Sequence, residues 1–364
     1  MNIGKISENV LKHSVLHQIH TRKQDCRLHG GSPEVLNGAG IGEDCAIFAL
    51  SDTDVMTSCV REAAVATRQG ILEASGMAEG EIPITMAHLL QKCANNLAVS
   101  GATPIAVAIT LLLPEEAEAD LIKELMKEAE AACEELSVQI SGGQTRITKT
   151  VTVPWAVVTG YGRAAKKNYR TVKDAVPGQD IVLSKWVGLE GTAMLAKRHR
   201  EKLLDRYPAY LANEAADFDR YLSVLPEAAL AMQSNVCAMH DASEGGIFAA
   251  LWELAEGAGV GLTIDLKKIP LRQETVEVCE CCGVNPYELL SGGCLVMTTE
   301  NGAALVETLE AEQIPAVVIG RITDKSGRII RNEDEVRYMD RPGMDEIYKT
   351  TDATLRESSL VNKM

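Results

Sequence analysis

Short apolar runs alternate with helix-patterned segments along this chain, and that alternation limits its possible folds more than any other feature. Strands are predicted over 45–50, 55–60 and 104–114, where apolar runs end at polar turns or at a proline. Helices are predicted over 82–100 and 115–136, and the second of them carries Glu/Lys pairs on its polar face. Strands and helices in this order are typical of layered α/β domains.

The alternation extends through most of the 364 residues, which are enough for two domains. The polar, basic stretch 163–174 is predicted to separate a domain over 1–163 from a domain over 174–340, and a polar, peripheral tail is predicted over 341–364. The other predicted elements are helices over 5–19, 190–204, 226–234, 245–258 and 302–312, and strands over 150–162, 180–184, 261–266, 294–300 and 316–320.

Charge and hydropathy limit the possible partners. The net charge of −15 repels a phosphate backbone, so we expect no nucleic-acid partner. A bound nucleotide is compatible with this charge, because backbone N–H groups and local cations can hold its phosphates. No apolar run approaches the roughly 18 residues of a spanning helix, and residues 1–19 lack the apolar block of a signal peptide. We therefore expect a cytoplasmic protein with no membrane partner.

The ten cysteines are scattered along the chain, which predicts reduced thiols that are mostly buried. Cys279, Cys281 and Cys282 form a close cluster. A metal site would need a second Cys/His pair at suitable spacing, and Cys294 is the only nearby candidate. We therefore predict a helix with partly buried thiols at this cluster rather than a metal site.

The first glycine-containing motif is GIGEDCAIF at 40–48. Gly40 and Gly42 precede Glu43 and Asp44 at the start of a predicted strand. Glycine allows a backbone to approach a phosphate closely, and a carboxylate at the end of a strand can hold magnesium. A Gly-Asp turn before a strand is also common without any ligand, so this motif alone leaves both interpretations open.

Two further motifs combine polar residues with glycine. Asn95 and Asn96 lie inside a predicted Ala/Leu-rich helix, where asparagine is unfavourable unless it meets a local packing need or a ligand. Gly142 and Gly143 follow a short predicted strand in ISGGQTRIT at 140–148. They form either a tight turn or a loop whose N–H groups face an anion.

Two motifs lie in the second predicted domain. In MHDASEGG, Asp241 or Ser243 is predicted to cap the helix that follows Gly245 and Gly246. The N-terminus of that helix would attract a phosphate group. The motif LLSGGCLVM at 289–297 is a Gly-Gly turn that leads into a strand.

The order of these motifs over roughly residues 35–325 resembles the AIR-synthase (aminoimidazole-ribonucleotide synthetase) superfamily. The sequence runs GIGEDCA, TSC, CANNLAVSGATP, ISGGQT, HDASEGG and LLSGGC. The superfamily includes AIR synthase, thiamine-monophosphate kinase, selenophosphate synthetase and the hydrogenase-maturation carbamoyl dehydratase. HDASEGGI, VSGATP and SKWVGLEGTA most resemble the hydrogenase-maturation branch.

The resemblance implies a two-domain α/β (α+β) fold. The N-terminal domain would pair with its copy in a homodimer whose sheets form a barrel-like core, and the C-terminal α/β domain would pack outside. ATP would lie in a cleft between the domains, with its phosphates held through magnesium by acids of the N-terminal domain. A protein partner in a maturation pathway is also implied.

Matching the family motifs residue by residue shows that most of the magnesium ligands are replaced. Asp44 is retained with Glu43 beside it, but Cys59, Asn96 and Gln144 stand where the family has acids. Because magnesium prefers carboxylate oxygens, we expect its binding to be weak or absent. The nucleotide-binding residues that the resemblance implies are Gly40, Gly42, Asp44, Asn96, Gly142, Gly143, Gln144, Lys173, Asp241, Gly245 and Gly246.

Alternatives remain open at this stage. Asp52, Asp54 or Glu62 could supply the acids if the motif match is shifted. The carbamoyl dehydratase needs a C-terminal cysteine, whereas this chain ends VNKM and its last cysteine is Cys294, so we expect no carbamoyl group at the terminus. A third alternative is that Cys26 is a reactive residue of the kind that selenophosphate synthetase uses.

We expect a nucleotide-binding protein with a reduced metal site, and catalytic residues cannot be assigned from the sequence. The alternative is an active ATP-dependent enzyme that catalyses phosphoryl transfer or dehydration on an unidentified small molecule.

Overall fold

The computed structural model describes residues 6–19, 34–73 and 82–350, and its strands form two sheets. The first sheet has the order β1-β2-β3-β6-β4-β5, and the second has the order β13-β12-β9-β11-β7-β10-β8. The strands are β1 Val35–Asn37, β2 Ala46–Ala49, β3 Asp54–Ala64, β4 Thr103–Leu113, β5 Gln139–Ile147, β6 Trp155–Ala165, β7 Asp180–Ser184, β8 Ala238–Asp241, β9 Gly261–Asp265, β10 Leu295–Thr299, β11 Ala316–Thr323, β12 Arg328–Asn332 and β13 Glu335–Tyr338.

Helices cover both sheets. They are α1 Glu8–Val10, α2 Arg68–Glu73, α3 Met86–Val99, α4 Ala119–Leu136, α5 Leu189–Arg198, α6 Arg200–Leu204, α7 Ala209–Ala216, α8 Leu225–Gln233, α9 Gly246–Ala258, α10 Gln273–Cys282 and α11 Gly302–Ala311. No helix in the described part of the chain has the length and apolar composition needed to cross a bilayer. The predicted α/β fold with two domain-sized sheets is confirmed, whereas the barrel-like dimer core stays a prediction.

Helix α3 fixes the position of the first sheet relative to the second. Its Thr85 N-cap accepts a hydrogen bond from the backbone N–H of His88, at 3.1 Å. Leu89 and Leu97 pack on the first sheet, while Val99 packs in the core of the second domain. The side chain of Asn95 accepts from the N–H of Val224 and donates to a neighbouring carbonyl. Asn95 therefore meets a structural need within this helix.

The segment ISGGQTRIT differs from the predicted turn or loop. Its residues lie in β5, an edge strand that pairs in parallel with β4. A Cβ on Gly143 would lie 1.8 Å from the carbonyl oxygen of Ile109, and the backbone there has φ +150°. The glycine is thus required for close strand pairing, which local sequence does not reveal.

Other differences lie in and after the second domain. The hairpin of β12 and β13, helix α7 and strand β8 were not predicted. The prediction of a peripheral tail is wrong for residues 345–350, because Asp345, Glu346 and Thr350 are buried. Cys26 and the terminal VNKM lie outside the described residues. The cysteine cluster lies on α10, as predicted, and burial raises the pKa of Cys279 and of Cys282 to about 12.

Candidate functional site

A cavity of about 990 Å³ lies where the first sheet, α3 and the second domain meet. It is lined by the loop 38–45, by the middle of β3, and by residues from α3, β8 and α9. Ile347 and Tyr348 also line it. Of the residues implied by the resemblance, the cavity brings together Gly40, Gly42, Asp44, Asn96 and Asp241.

The retained acid, Asp44, is paired with a histidine of the second domain. Nδ1 of His240, at the end of β8, donates to Oδ2 of Asp44 at 2.7 Å. Its Nε2 donates to Oε2 of Glu253 at 3.3 Å. Burial lowers the pKa of His240, but the two carboxylates outweigh that effect and raise the pKa to about 10. His240 is therefore an imidazolium at neutral pH, and it already neutralises Asp44.

Arg61 is a cavity residue that the sequence reasoning missed. Its Nη2 donates to Oδ1 of Asn96 at 2.7 Å and lies 3.9 Å from Oδ1 of Asp44. No hydrogen-bond partner of its Nε is found among the described residues. Asn96 therefore lies in the cavity as predicted, but its side-chain oxygen is bound to a guanidinium. The signal in the sequence was its position in TSCVREA, two residues after Cys59 on the same strand face.

A second cation, Lys92 of α3, also lines the cavity. Its Nζ donates to Oε1 of the buried Glu190 at 2.6 Å, and Nε2 of His88 lies 2.7 Å from the same oxygen. Burial raises the pKa of Glu190, but Lys92 and His88 outweigh it and lower the pKa to about 2. Glu190 is therefore an ionised carboxylate that is already paired.

Glu43, the second candidate magnesium ligand, is also paired. Its Oε2 accepts from Nδ2 of Asn37 at 2.8 Å, and its Oε1 lies 3.1 Å from Nζ of Lys173. Lys173 also donates to Oδ1 of Asn37 at 2.6 Å. Lys173, predicted to contact a nucleotide, is bound to Glu43 and does not line the cavity.

Asp241, like Glu190 at its Oε2, has one buried carboxyl oxygen, Oδ1, without a hydrogen-bond partner in the described part of the chain. Burial raises its pKa to about 6, against the opposing effect of Arg61. A buried carboxyl oxygen without a partner in a cavity wall is suited to accept a hydrogen bond from a ligand.

Three thiols lie beneath the cavity. Sγ of Cys59 is 3.6 Å from Sγ of Cys93, and Cys45 donates from its thiol to the carbonyl oxygen of Asn96 at 3.1 Å. All three side chains are buried. Cys59 thus lies beside other buried cysteines at the position where the family resemblance implies an acid.

Five further predicted residues, in addition to Lys173, do not line the cavity. Gly142, Gly143 and Gln144 are on the exposed edge strand β5. Gly245 is the N-cap of α9, and its N–H donates to a carboxylate oxygen of Asp345, while Gly246 begins the helix. The prediction that Asp241 or Ser243 caps this helix is wrong.

The other acids considered from the sequence lie outside the cavity or are exposed. Asp54 pairs with Arg163, 3.1 Å away, outside the cavity, and Asp52 is exposed. Glu62 reaches the cavity but is exposed. Within residues 6–19, 34–73 and 82–350, no three His, Cys, Asp or Glu side chains are grouped to hold a metal ion.

Two family models match the chain. The model for the N-terminal domain of AIR synthase related proteins matches residues 42–164, and the model for their C-terminal domain matches residues 176–331. This chain belongs to the AIR synthase related family. The hydrogenase-maturation resemblance inferred from the motifs is confirmed by similarity to several proteins of that branch.

Relatives in this branch are about a quarter identical to the chain over the aligned residues. A protein of Methanocaldococcus jannaschii named for hydrogenase expression/formation is 26% identical over 258 residues, which are 70% of this chain and 75% of that protein. Carbamoyl dehydratase HypE of Rhodobacter capsulatus is 28% identical over 245 residues, which are 65% of this chain and 69% of HypE.

Solved structures show the same fold. A HypE–HypF complex matches with a TM-score of 0.66 at 21% identity, covering 83% of this chain and 94% of that one. HypE in complex with ATP matches with a TM-score of 0.65 at 17% identity, covering 95% of this chain and 97% of HypE.

Proposed function

We propose that this protein binds an ATP-type nucleotide in the cavity described above, with little help from magnesium. The observation that carries the proposal is that Asp44, Glu43 and Glu190 of the cavity are each paired with a protein cation. The cavity offers a glycine loop to a nucleotide, and the pairing of these three carboxylates supports the view that they do not act as a set of metal ligands.

Two solved complexes of similar proteins and the geometry of the glycine loop support nucleotide binding. HypE has been solved in complex with ATP, and a thiamine-monophosphate-kinase-like relative in complex with AMPPCP and TMP. In this chain Gly42 has φ +72°, and a Cβ there would lie 2.5 Å from the carbonyl oxygen of Glu253. The glycine loop is thus held close to α9, and its backbone borders the cavity.

We also propose a homodimer and a protein partner in hydrogenase maturation. The face of the first sheet opposite α3 carries Val60, which is 58% exposed, together with the partly exposed Leu112, Val157 and Tyr161. A second copy would cover this apolar face. Light scattering at micromolar concentration should give twice the 39.2 kDa chain mass, and a monomer would contradict the dimer.

The solved HypE–HypF complex supports the proposal of a protein partner in hydrogenase maturation.

Photolabelling with 8-azido-ATP tests the nucleotide site. The label should be competed by ATP and should map to peptides that contain 38–48, 58–63 or 240–253. Labelling that does not saturate, or that maps elsewhere, would contradict the proposal. Steady release of phosphate from ATP by the purified protein would show an active ATP-dependent enzyme instead of a binding protein.

A further inference from the structure

We propose that Arg61 takes the place of the divalent cation in this cavity and binds a phosphate group of the nucleotide directly. This inference rests on the proposed function, because it concerns how the same cavity holds its anionic ligand. A guanidinium presents N–H donors in a planar fork that matches two oxygens of one phosphate. It can therefore supply both charge and orientation without a metal ion.

The position of Arg61 on β3 is the first observation. Side chains alternate along a strand, so Cys59 and Arg61 lie on the same face. Cys59 stands where the family resemblance implies a metal-binding acid. The face of β3 that carries Cys59 has the cation of Arg61 and no carboxylate. This face therefore presents positive charge to a ligand.

The pairing of the cavity acids is the second observation. His240 donates to Asp44 at 2.7 Å, and Lys173 lies 3.1 Å from Glu43. A magnesium ion would have to displace these cations or share the carboxylates with them, and either arrangement weakens its binding. The positive charge in the cavity is thus supplied by side chains.

The unused donor capacity of Arg61 is the third observation. Its side chain is 29% exposed and lines the cavity, and only its Nη2 has a hydrogen bond to another described side chain, that of Asn96. The buried Nε lacks a partner in the described ranges. The exposed part of the guanidinium is what a phosphate can reach, and its Nη1 has no hydrogen bond to another described residue.

The other charged side chains of the cavity determine how tightly we expect ATP to bind. Asp44 and Asp241 keep the surroundings of Arg61 acidic, so we expect the affinity for a polyphosphate to be modest. Lys92 lines the same cavity but is committed to Glu190 at 2.6 Å. The loss of Arg61 should therefore not be compensated by a neighbouring cation.

Calorimetric titration of ATP in the presence of EDTA tests the inference with three variants of the full chain. Arg61→Met removes the charge, and Arg61→Lys keeps it without the fork. Arg163→Met is the matched control, because Arg163 lies on the neighbouring strand β6 and pairs with Asp54 outside the cavity. Thermal melts of all variants check that they fold.

We expect the wild type and Arg163→Met to bind ATP in EDTA, and Arg61→Met to bind at least about tenfold more weakly. Arg61→Lys should lie between them, and inorganic phosphate should compete with ATP. If Arg61→Met does not fold, the comparison of ATP affinity between Arg61→Lys and the wild type in EDTA tests the role of Arg61.

Two results would overturn the role of Arg61 while leaving the proposed function intact. One is ATP binding by the wild type that requires magnesium. The other is an affinity of a folded Arg61→Met variant within about twofold of the wild type. Absence of saturable binding in both magnesium and EDTA would overturn the proposed function and this inference together.

Discussion

Nδ1 of His240 lies 2.7 Å from Oδ2 of Asp44, so the acid that the sequence retains is bound to a cation from the other domain. The side chains are 4% and 10% exposed, which makes this a buried ion pair. A carboxylate in such a pair is a poor magnesium ligand, because a metal ion must compete with the imidazolium. The pair also joins the glycine loop of the first domain to the end of β8.

The pair should make stability depend on pH. The pKa of His240 is about 10 in the folded protein, compared with about 6.5 in an unfolded chain. Its stabilising contribution is therefore fully present below pH of about 6.5 and is lost as the pH rises through about 10. Removal of one partner of a buried pair costs about 3–5 kcal/mol.

Denaturant unfolding of wild type and His240→Gln across this pH range measures that contribution. The difference in unfolding free energy should be large near neutral pH and should shrink towards pH of about 10. A difference that stays constant over the whole range would contradict an imidazolium at this position.

Asp345 should show a pH dependence of its own. Its carboxylate oxygens accept from the backbone N–H groups of Gly245, Leu290 and Ile347, so loss of these bonds should cost about 1–3 kcal/mol. Burial raises its pKa to about 7, above the value of about 3.9 in an unfolded chain. The folded state therefore holds the proton more tightly than the unfolded chain does. The stabilisation by the protonated carboxyl group is fully present below pH of about 3.9 and is lost as the pH rises through about 7.

The comparison of wild type with Asp345→Asn isolates this effect. The melting temperature of the wild type should fall relative to that of the variant between pH of about 4 and about 7. Asp340→Asn, at an exposed position of the same segment, serves as the control and should leave the profile unchanged. Parallel profiles for wild type and Asp345→Asn would show that the carboxyl group is not buried as described.

Gly143 should tolerate a methyl group much less well than Gly142. A Cβ on Gly143 would lie 1.8 Å from the carbonyl oxygen of Ile109, whereas a Cβ on Gly142 meets no atom within 4 Å. Both positions have φ beyond +145° in the region that disfavours other residues, with values of +150° and +156°. We expect Gly143→Ala to destabilise the protein by about 1–3 kcal/mol more than Gly142→Ala. Equal melting temperatures would contradict the close pairing of β4 with β5.

The motif order predicted several residues that line the cavity, and their binding of a nucleotide stays a prediction. Asp44, Asn96 and Asp241 are brought to one cavity, although they come from different strands and helices. Only the structure distinguishes the roles of the two asparagines in α3. Asn95 accepts a hydrogen bond from the backbone N–H of Val224, and Asn96 accepts one from Arg61. Both residues lie within one helix, and its pattern alone does not show which neighbour each side chain meets.

The ion pairs could not be predicted from local sequence. His240 and Asp44 are 196 positions apart, and Asp345 meets Gly245 across 100 positions, so each contact depends on how the second domain packs. Arg61 was overlooked because an arginine on a strand is normally a solvated surface residue. Only the burial of its Nε next to Asn96 distinguishes it.

Restoring the acids should not restore a magnesium site while Arg61 is present. In Cys59→Asp/Asn96→Asp, the new carboxylates would pair with the guanidinium, which lies 2.7 Å from the present side chain of Asn96. Magnesium should tighten ATP binding, by about tenfold, only when Arg61→Ala is added. Thermal melts control for the burial of a new charge at Cys59. Magnesium dependence in the double variant alone would show that Arg61 does not occupy the position of the cation.

The magnesium dependence of ATP affinity in the wild-type protein tests the account most directly. ATP is titrated calorimetrically in the presence of EDTA and again with magnesium in excess over nucleotide. Because Arg61 and His240 already supply the positive charge, the two dissociation constants should agree within about threefold. Binding that is tightened at least about tenfold by magnesium, or that disappears in EDTA, would contradict the account.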